Sequence, residues 1–166
     1  MKTHYMNYAD FKKGWIGGGR ETPCGSGSKF ENTEIQREWI PRMVEKYGIQ
    51  SIADIGAGDL NWASRTVFGC DYHPFDLFPR THGVEELDIL TDDMPVSDCL
   101  MVLWVINHLH PENQKLAVDK LTSSSARYLI MTWDNRMESC TDLPYIEKTI
   151  LRHDRGIDFE IRLIKL

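Results

Sequence analysis

The residues best suited to chemistry in this 166-residue chain are Asp54-Ile55-Gly56-Ala57-Gly58-Asp59. Two glycines one residue apart, directly after an apolar run, let a ligand press against backbone. A dinucleotide site wants the pattern G-x-G-x-x-G, but Asn61 holds the third glycine position. Asp59 would also repel a pyrophosphate. A nucleoside carrying an amino acid meets neither objection: it brings no phosphate, and its cationic groups favour Asp54 and Asp59. A further acid, Asp71, closes the run Val67 to Asp71, where a carboxylate can accept hydrogen bonds from two ribose hydroxyls. Asp88, with Ile89 beside it, is placed to meet an adenine amino group. Each residue has a plainer reading, as a tight turn, a surface acid or a helix cap. Their order along the chain favours the ligand site.

Other side chains near these positions carry two readings each. Asn61 and Trp62 follow the glycine turn and either wall the ligand or pack locally. Tyr72 follows Asp71 and either covers the adenine or packs at the surface. Trp104 stacks near the ligand or, the preferred reading, packs the sheet. His108 is the candidate general base, because an imidazole with an ordinary pKa of about 6.5 suits proton transfer near neutrality. It competes with a capping role ahead of Pro111, for which His110 is better placed. Trp133 and Asp134 are candidates for the acceptor wall, and Trp15 with the nearby glycines for a lid.

These positions demand particular elements. Ser51 to Ile55 reads as a buried strand entering the glycine turn, Val67 to Asp71 as a second strand and Glu86 to Ile89 as a short third. A helical turn is expected at about Leu60 to Arg65. Cys99 to Ile106 is almost wholly apolar, as a strand covered on both faces must be. A helix begins at Pro111, with Leu116, Ala117 and Leu121 as its apolar face, and Tyr128 to Thr132 is a fifth strand. Ahead of them all, Ser28 and Glu31 have capping-box spacing. Ile35, Trp39, Ile40, Met43, Val44 and Tyr47 then form one helical face, with Pro41 expected to kink or divide the helix and Gly48 to end it. Thr149 to His153 and Phe159 to Lys165 flank Asp154-Arg155-Gly156 and read as an antiparallel hairpin. The fold class is therefore α/β: a Rossmann-like, doubly wound, mostly parallel sheet closed by an antiparallel C-terminal hairpin. Residues 1–23 are expected to be a flexible segment or lid, and 24–166 a single domain.

Bulk properties narrow the function. The formal net charge of −6 argues against duplex DNA as a partner, since that binding rests on basic side chains. No apolar run approaches a membrane span, and residues 1–11 show no secretory h-region. A cytoplasmic protein without a membrane partner is expected. The four cysteines, Cys24, Cys70, Cys99 and Cys140, form no C-x-x-C pair and read as free thiols, with no metal site.

At these residues the chain resembles the class I S-adenosylmethionine-dependent methyltransferases. Ser51 to Asp59 looks like their first motif, Asp71 like the acid ending their second strand, and Asp88-Ile89-Leu90 like their adenine-contacting segment. Cys99 to Leu109 is similar to their fourth strand and following loop, and the hairpin to their last two strands. The match is closer to small bacterial and phage-type members, through Gly25-Ser26-Gly27-Ser28, Asp59-Leu60-Asn61-Trp62 and Asn107-His108-Leu109. The resemblance implies S-adenosylmethionine as cofactor and S-adenosylhomocysteine as product. It implies cofactor contacts from Asp54, Gly56, Ala57, Gly58, Asp59, Asn61, Trp62, Asp71, Tyr72, Asp88, Ile89 and Trp104. The thirteen positions from Gly58 to Asp71 are short for the family's first helix. No acceptor-recognition insert follows the fifth strand, so a homo-oligomer or the N-terminal lid is expected to complete the acceptor wall. Trp104-Val105-Ile106-Asn107 stands where a D/N-P-P-Y/W or Pro-Cys motif would mark DNA methylation. Methyl transfer to a small or surface-presented acceptor is the leading expectation. Breakdown of S-adenosylmethionine without an acceptor and a non-catalytic binding module are the alternatives.

Overall fold

Ile52 to Ile55 are all buried, so the strand they form must be covered on both faces. The computed structural model describes residues 8–14, 19–134, 137, 143–154 and 157–166, and places this strand, β1 (Ser51–Ile55), near the middle of a seven-stranded sheet. The others are β2 (Asp71–Asp76), β3 (Glu85–Glu86), β4 (Cys99–Val102), β5 (Tyr128–Asp134), β6 (Tyr145–Asp154) and β7 (Ile157–Lys165). Their order is β3-β2-β1-β4-β5-β7-β6. The first five pair in parallel, and β7 pairs antiparallel with both β5 and β6. This is the expected doubly wound sheet with its closing hairpin. Chain order reverses between β1 and β4, which puts the switch point, and the crevice for a ligand, at the end of β1.

Each face has its own core. Helix α2 (Glu34–Tyr47) lays Trp39, Ile40, Met43 and Val44 over Ile52, Met101, Ile130 and Ile161. Helix α3 (Pro111–Thr122) lays Ala117, Val118 and Leu121 over the opposite face, with Leu100, Val102, Leu129 and Met131. Helix α1 (Tyr8–Lys13) precedes both. α2 runs through Pro41 without dividing and ends, as expected, on Gly48 in the left-handed conformation. Pro111 opens α3 behind His110, which holds the N-cap position with no side-chain capping bond.

Several sequence expectations are corrected. The N-cap of α2 is Thr33, because two short 3₁₀ turns, Ser26–Ser28 and Phe30–Asn32, use up the segment read as a Ser28/Glu31 capping box. Leu116 lies outside the core of α3, at 46% exposure, and Val118 takes its place. β4 stops at Val102, since Trp104 adopts φ +59° and turns the chain into a 3₁₀ turn, Ile106–His108. The turn after the glycine loop is a 3₁₀ turn at Ala63–Arg65.

The largest correction concerns β2. Val67 to Cys70 is loop: Gly69 takes φ +79°, Val67 is exposed and only Phe68 turns into the core. The strand begins where it was expected to end. Asp71 pairs with Ser51 at the start of β1, and Asp76 is the acid that closes β2. β3 pairs only with Phe75 and Asp76, so Pro74 lies on a stretch of β2 edge where its missing N–H breaks no ladder bond.

Candidate functional site

The C-terminal ends of β1, β2 and β4 converge on a cavity of about 160 Å³. Its floor is the turn Gly56-Ala57-Gly58. The amides of Gly56 and Ala57 both donate to the carbonyl of Phe75, at 2.8 and 2.9 Å, which ties the turn to β2. Both glycines have positive φ, +95° at Gly56 and +65° at Gly58. A Cβ on Gly56 would lie 2.2 Å from Val105 Cγ2, and one on Gly58 would lie 2.9 Å from Cys24 Sγ. Glycine is therefore required at both positions by conformation and by space.

Two carboxylates border the turn. Asp54 is buried on the α2 side of β1 and accepts a hydrogen bond from the Tyr72 hydroxyl. Burial pushes its carboxyl up to about 7; the tyrosine hydroxyl pulls it back and Asp76 adds to the rise. Asp76 accepts from the Gly58 amide at 2.8 Å and from the Phe78 amide at 2.8 Å. Desolvation raises its pKa, against the opposing effects of those two amides and of Arg80.

The cavity has two unlike halves. On the α3 side Ile55, Leu77, Leu87, Ile89 and Val105 make an apolar slot beside Asp76. On the α2 side Gln36, Ser28, Trp62 and Asp54 make a polar one. An apolar slot suits a flat heterocycle, a carboxylate at its mouth suits a diol, and a polar pouch suits a charged tail.

The sequence-predicted residues divide accordingly. Asp54, Gly56, Ala57, Gly58, Trp62, Ile89, Trp104 and His108 all line the cavity. Trp104 reaches it while packing on Phe159, with ring centroids 5.1 Å apart. The rest stand elsewhere. Asp71 is exposed at the opposite end of β2, the consequence of the strand's shifted start. Tyr72 lies on the α2 face, stacked on Phe68 at 4.6 Å, and reaches the site only through Asp54. Asp88 is buried outside the cavity wall, folding its own turn by accepting from the Leu90 amide at 3.1 Å. Asp59 accepts from the Asn61 amide, and Asn61 in turn donates to Glu21 at 2.7 Å and to the Ser28 carbonyl at 2.9 Å. These two acts fasten the segment before α2 over the glycine turn. Trp133 stacks with the Arg162 guanidinium 3.7 Å from its ring centroid, away from the cavity. Trp15 and Cys140 lie outside the described residues.

Sequence reasoning missed Asp76, Gln36, Cys24 and Leu77. Gln36 carried a signal: it is a polar residue three before Trp39 and four before Ile40, on the apolar face of α2. The Cys24 thiol is pushed up to about 11, chiefly by burial, and is not a nucleophile near neutrality.

The strand order, the glycine turn after β1 and the antiparallel β7 together settle the architecture. The fold is that of the class I methyltransferases. Magnesium protoporphyrin IX methyltransferase from Synechocystis, solved with bound S-adenosylmethionine, superposes with a TM-score of 0.60 at 10% identity, covering 82% of this chain and 81% of its own. A Leishmania major S-adenosylmethionine-dependent methyltransferase gives 0.58 at 10% identity, covering 81% and 73%. Human N-acetylserotonin methyltransferase, also with S-adenosylmethionine, gives 0.54 at 10% identity, and this chain spans about half its length, 53%. No protein-family profile and no curated protein matches the sequence. Within this methyltransferase fold the chain is spare. No α-helix lies between β1 and β2, and among the described residues none lies between β5 and β6. No helix of the described residues is long and apolar enough to cross a membrane.

Proposed function

We propose that the chain binds S-adenosylmethionine and transfers its methyl group to a small or surface-presented acceptor. The observation that carries this reading is the two-sided cavity over Gly56-Ala57-Gly58, bounded by Asp54 and Asp76. The residues fit the cofactor. Leu77, Leu87, Ile89 and Val105 would hold the adenine, Asp76 the ribose hydroxyls, and the polar half with Asp54 the amino-acid end. When bound, the cofactor supplies a sulfonium methyl group for in-line displacement.

The chain's own contribution is alignment and exclusion of water. The glycine turn would fix the nucleoside, and Trp62 and Trp104, both on the cavity wall, would shield it from water. Proximity of this kind supplies a large part of the rate in such displacements. His108, on the cavity wall at the end of the turn after β4, would accept a proton from an acceptor that does not lose it unaided.

The test is titration calorimetry with S-adenosylmethionine and S-adenosylhomocysteine, followed by a screen of phenol, amine, thiol and carboxylate acceptors for S-adenosylhomocysteine release. Saturable binding of both, with acceptor-dependent release, is expected. Consumption of S-adenosylmethionine without any acceptor would replace transfer by degradation. Binding with no turnover would leave a cofactor-binding module, and absence of binding would overturn the reading.

A further inference from the structure

Gln36 is 3% exposed, lines the polar half of the cavity, and its Oε1 accepts no hydrogen bond from any described residue. A buried amide left in this state destabilises the ligand-free protein by its lost hydration. Nothing about helix α2 requires it. Gln36 sits one turn before Trp39 and Ile40, on the stripe that packs against the sheet, where leucine or methionine would fill the same space. The residue is a polar interruption of an apolar stripe, and the interruption falls where the stripe meets the cavity.

From the orphaned carbonyl and its position we infer that Gln36 is the residue that reads the amino-acid tail of the ligand. The inference rests on the cofactor reading above and adds to it a determinant of specificity. The apolar half has no use for an amide. The polar half contains Asp54, whose carboxylate draws the tail's ammonium and repels its carboxylate. A neutral carboxamide suits either end of such a zwitterion: by rotation about its last side-chain bond it turns to the cavity its NH₂ for the carboxylate or its oxygen for the ammonium. Arg80 is the only Lys or Arg among the described residues lining the cavity, and its charge acts on Asp76, whose pKa it lowers. Selection for a tailed nucleoside over a tail-less one thus falls on Gln36. A site that hydrogen-bonds a ligand group discriminates strongly against the analogue lacking it, because its own polar atoms then stay unpaired.

The experiment compares S-adenosylhomocysteine with 5′-methylthioadenosine, which shares the nucleoside and thioether but lacks the amino-acid tail. Titrations are run on the full chain and on Gln36→Leu and Gln36→Met, the second being the closer match in shape. Both variants are expected to bind S-adenosylhomocysteine about tenfold more weakly and 5′-methylthioadenosine as the parent does. Both should also melt a few degrees higher than the parent without ligand, roughly 3 °C, because an unpaired buried carbonyl has been removed. A purely structural glutamine would lower the melting temperature and weaken both ligands alike, and that result overturns the inference. Unchanged affinity for S-adenosylhomocysteine in the variants overturns it as well, while leaving the cofactor reading intact. A parent protein that binds neither nucleoside overturns both.

Discussion

The Asp76 carboxylate accepts a hydrogen bond from the backbone amide of Gly58 at 2.8 Å, joining the end of β2 to the glycine turn after β1. Its other oxygen takes the Phe78 amide, also at 2.8 Å, so one side chain orders both loops that meet at the cavity. Each oxygen keeps a second acceptor site for a ligand hydroxyl. Asp76→Ala should therefore weaken S-adenosylhomocysteine binding by about 1.5–3 kcal/mol, the range for hydrogen bonds to a charged group. Asp71→Ala, at the far end of the same strand, should leave it unchanged. Calorimetric titration of the two variants side by side checks this, and a larger loss from Asp71→Ala would refute the placement of the ribose.

Gly56 and Gly69 both have positive φ, but their surroundings differ. A Cβ at Gly56 meets Val105 Cγ2 at 2.2 Å, whereas one at Gly69 meets nothing within 4 Å. Gly69→Ala should cost only the conformational strain, about 1–2 kcal/mol. Gly56→Ala adds overpacking against a buried loop and should cost roughly 2–4 kcal/mol. Urea unfolding of the two variants measures the difference. Equal losses would mean that Val105 yields freely and that the turn is less tightly framed than the geometry indicates.

What could be read from the sequence was whatever depended on a short, strong local signal. Ser51–Ile55 with Gly56 and Gly58, Pro111 opening α3 and Gly48 closing α2 each announce themselves by residue type. The run Val67 to Cys70 misled, because an apolar stretch resembles a strand until Gly69 turns it. The true strand hid behind Pro74, tolerated only because β3 is two residues long and leaves that edge unpaired. That five-residue displacement puts Asp76, not Asp71, at the end of β2. Asp59 and Asn61 were read as ligand contacts because they adjoin the turn. Their partners, each other and then Glu21 and Ser28, come from the chain itself and are invisible in local spacing.

Asp54 should make the site responsive to pH. Burial raises its carboxyl to about 7 from an ordinary value of 3.8. For a group raised on folding, the stabilisation is fully present below the unfolded value and is lost as pH rises through the folded one. The ligand-free protein should thus lose stability between about pH 4 and pH 8, and Asp54→Asn should lose less over that window. A cationic ligand beside Asp54 reverses the balance by favouring the carboxylate. S-adenosylmethionine should therefore bind more tightly as pH rises through 7, with a proton released on binding near neutrality. Titrations in two buffers of unlike ionisation enthalpy report that proton directly. Uptake instead of release, or affinity independent of pH, would show that the cation lies elsewhere.

His108 shares the cavity wall with Val105 and Trp104, and its backbone amide is held by the Val105 carbonyl at 3.0 Å in the turn that follows β4. The turn fixes the backbone from which the imidazole reaches the cavity, while the residues proposed to hold the nucleoside, Val105 apart, lie on β1, β2 and the loops after β1, β2 and β3. Proton transfer would thus rest on a side chain separate from those proposed to hold the cofactor. His108→Ala should leave S-adenosylmethionine affinity within about twofold, because it removes no contact assigned to the cofactor. It should lower the rate with a phenol or amine acceptor by about 10²-fold or more, the usual contribution of a general base. A thiol acceptor, which ionises readily by itself, should lose far less. Equal losses across the three acceptor classes, or a fall in affinity matching the fall in rate, would make His108 a wall of the pocket with no part in proton transfer.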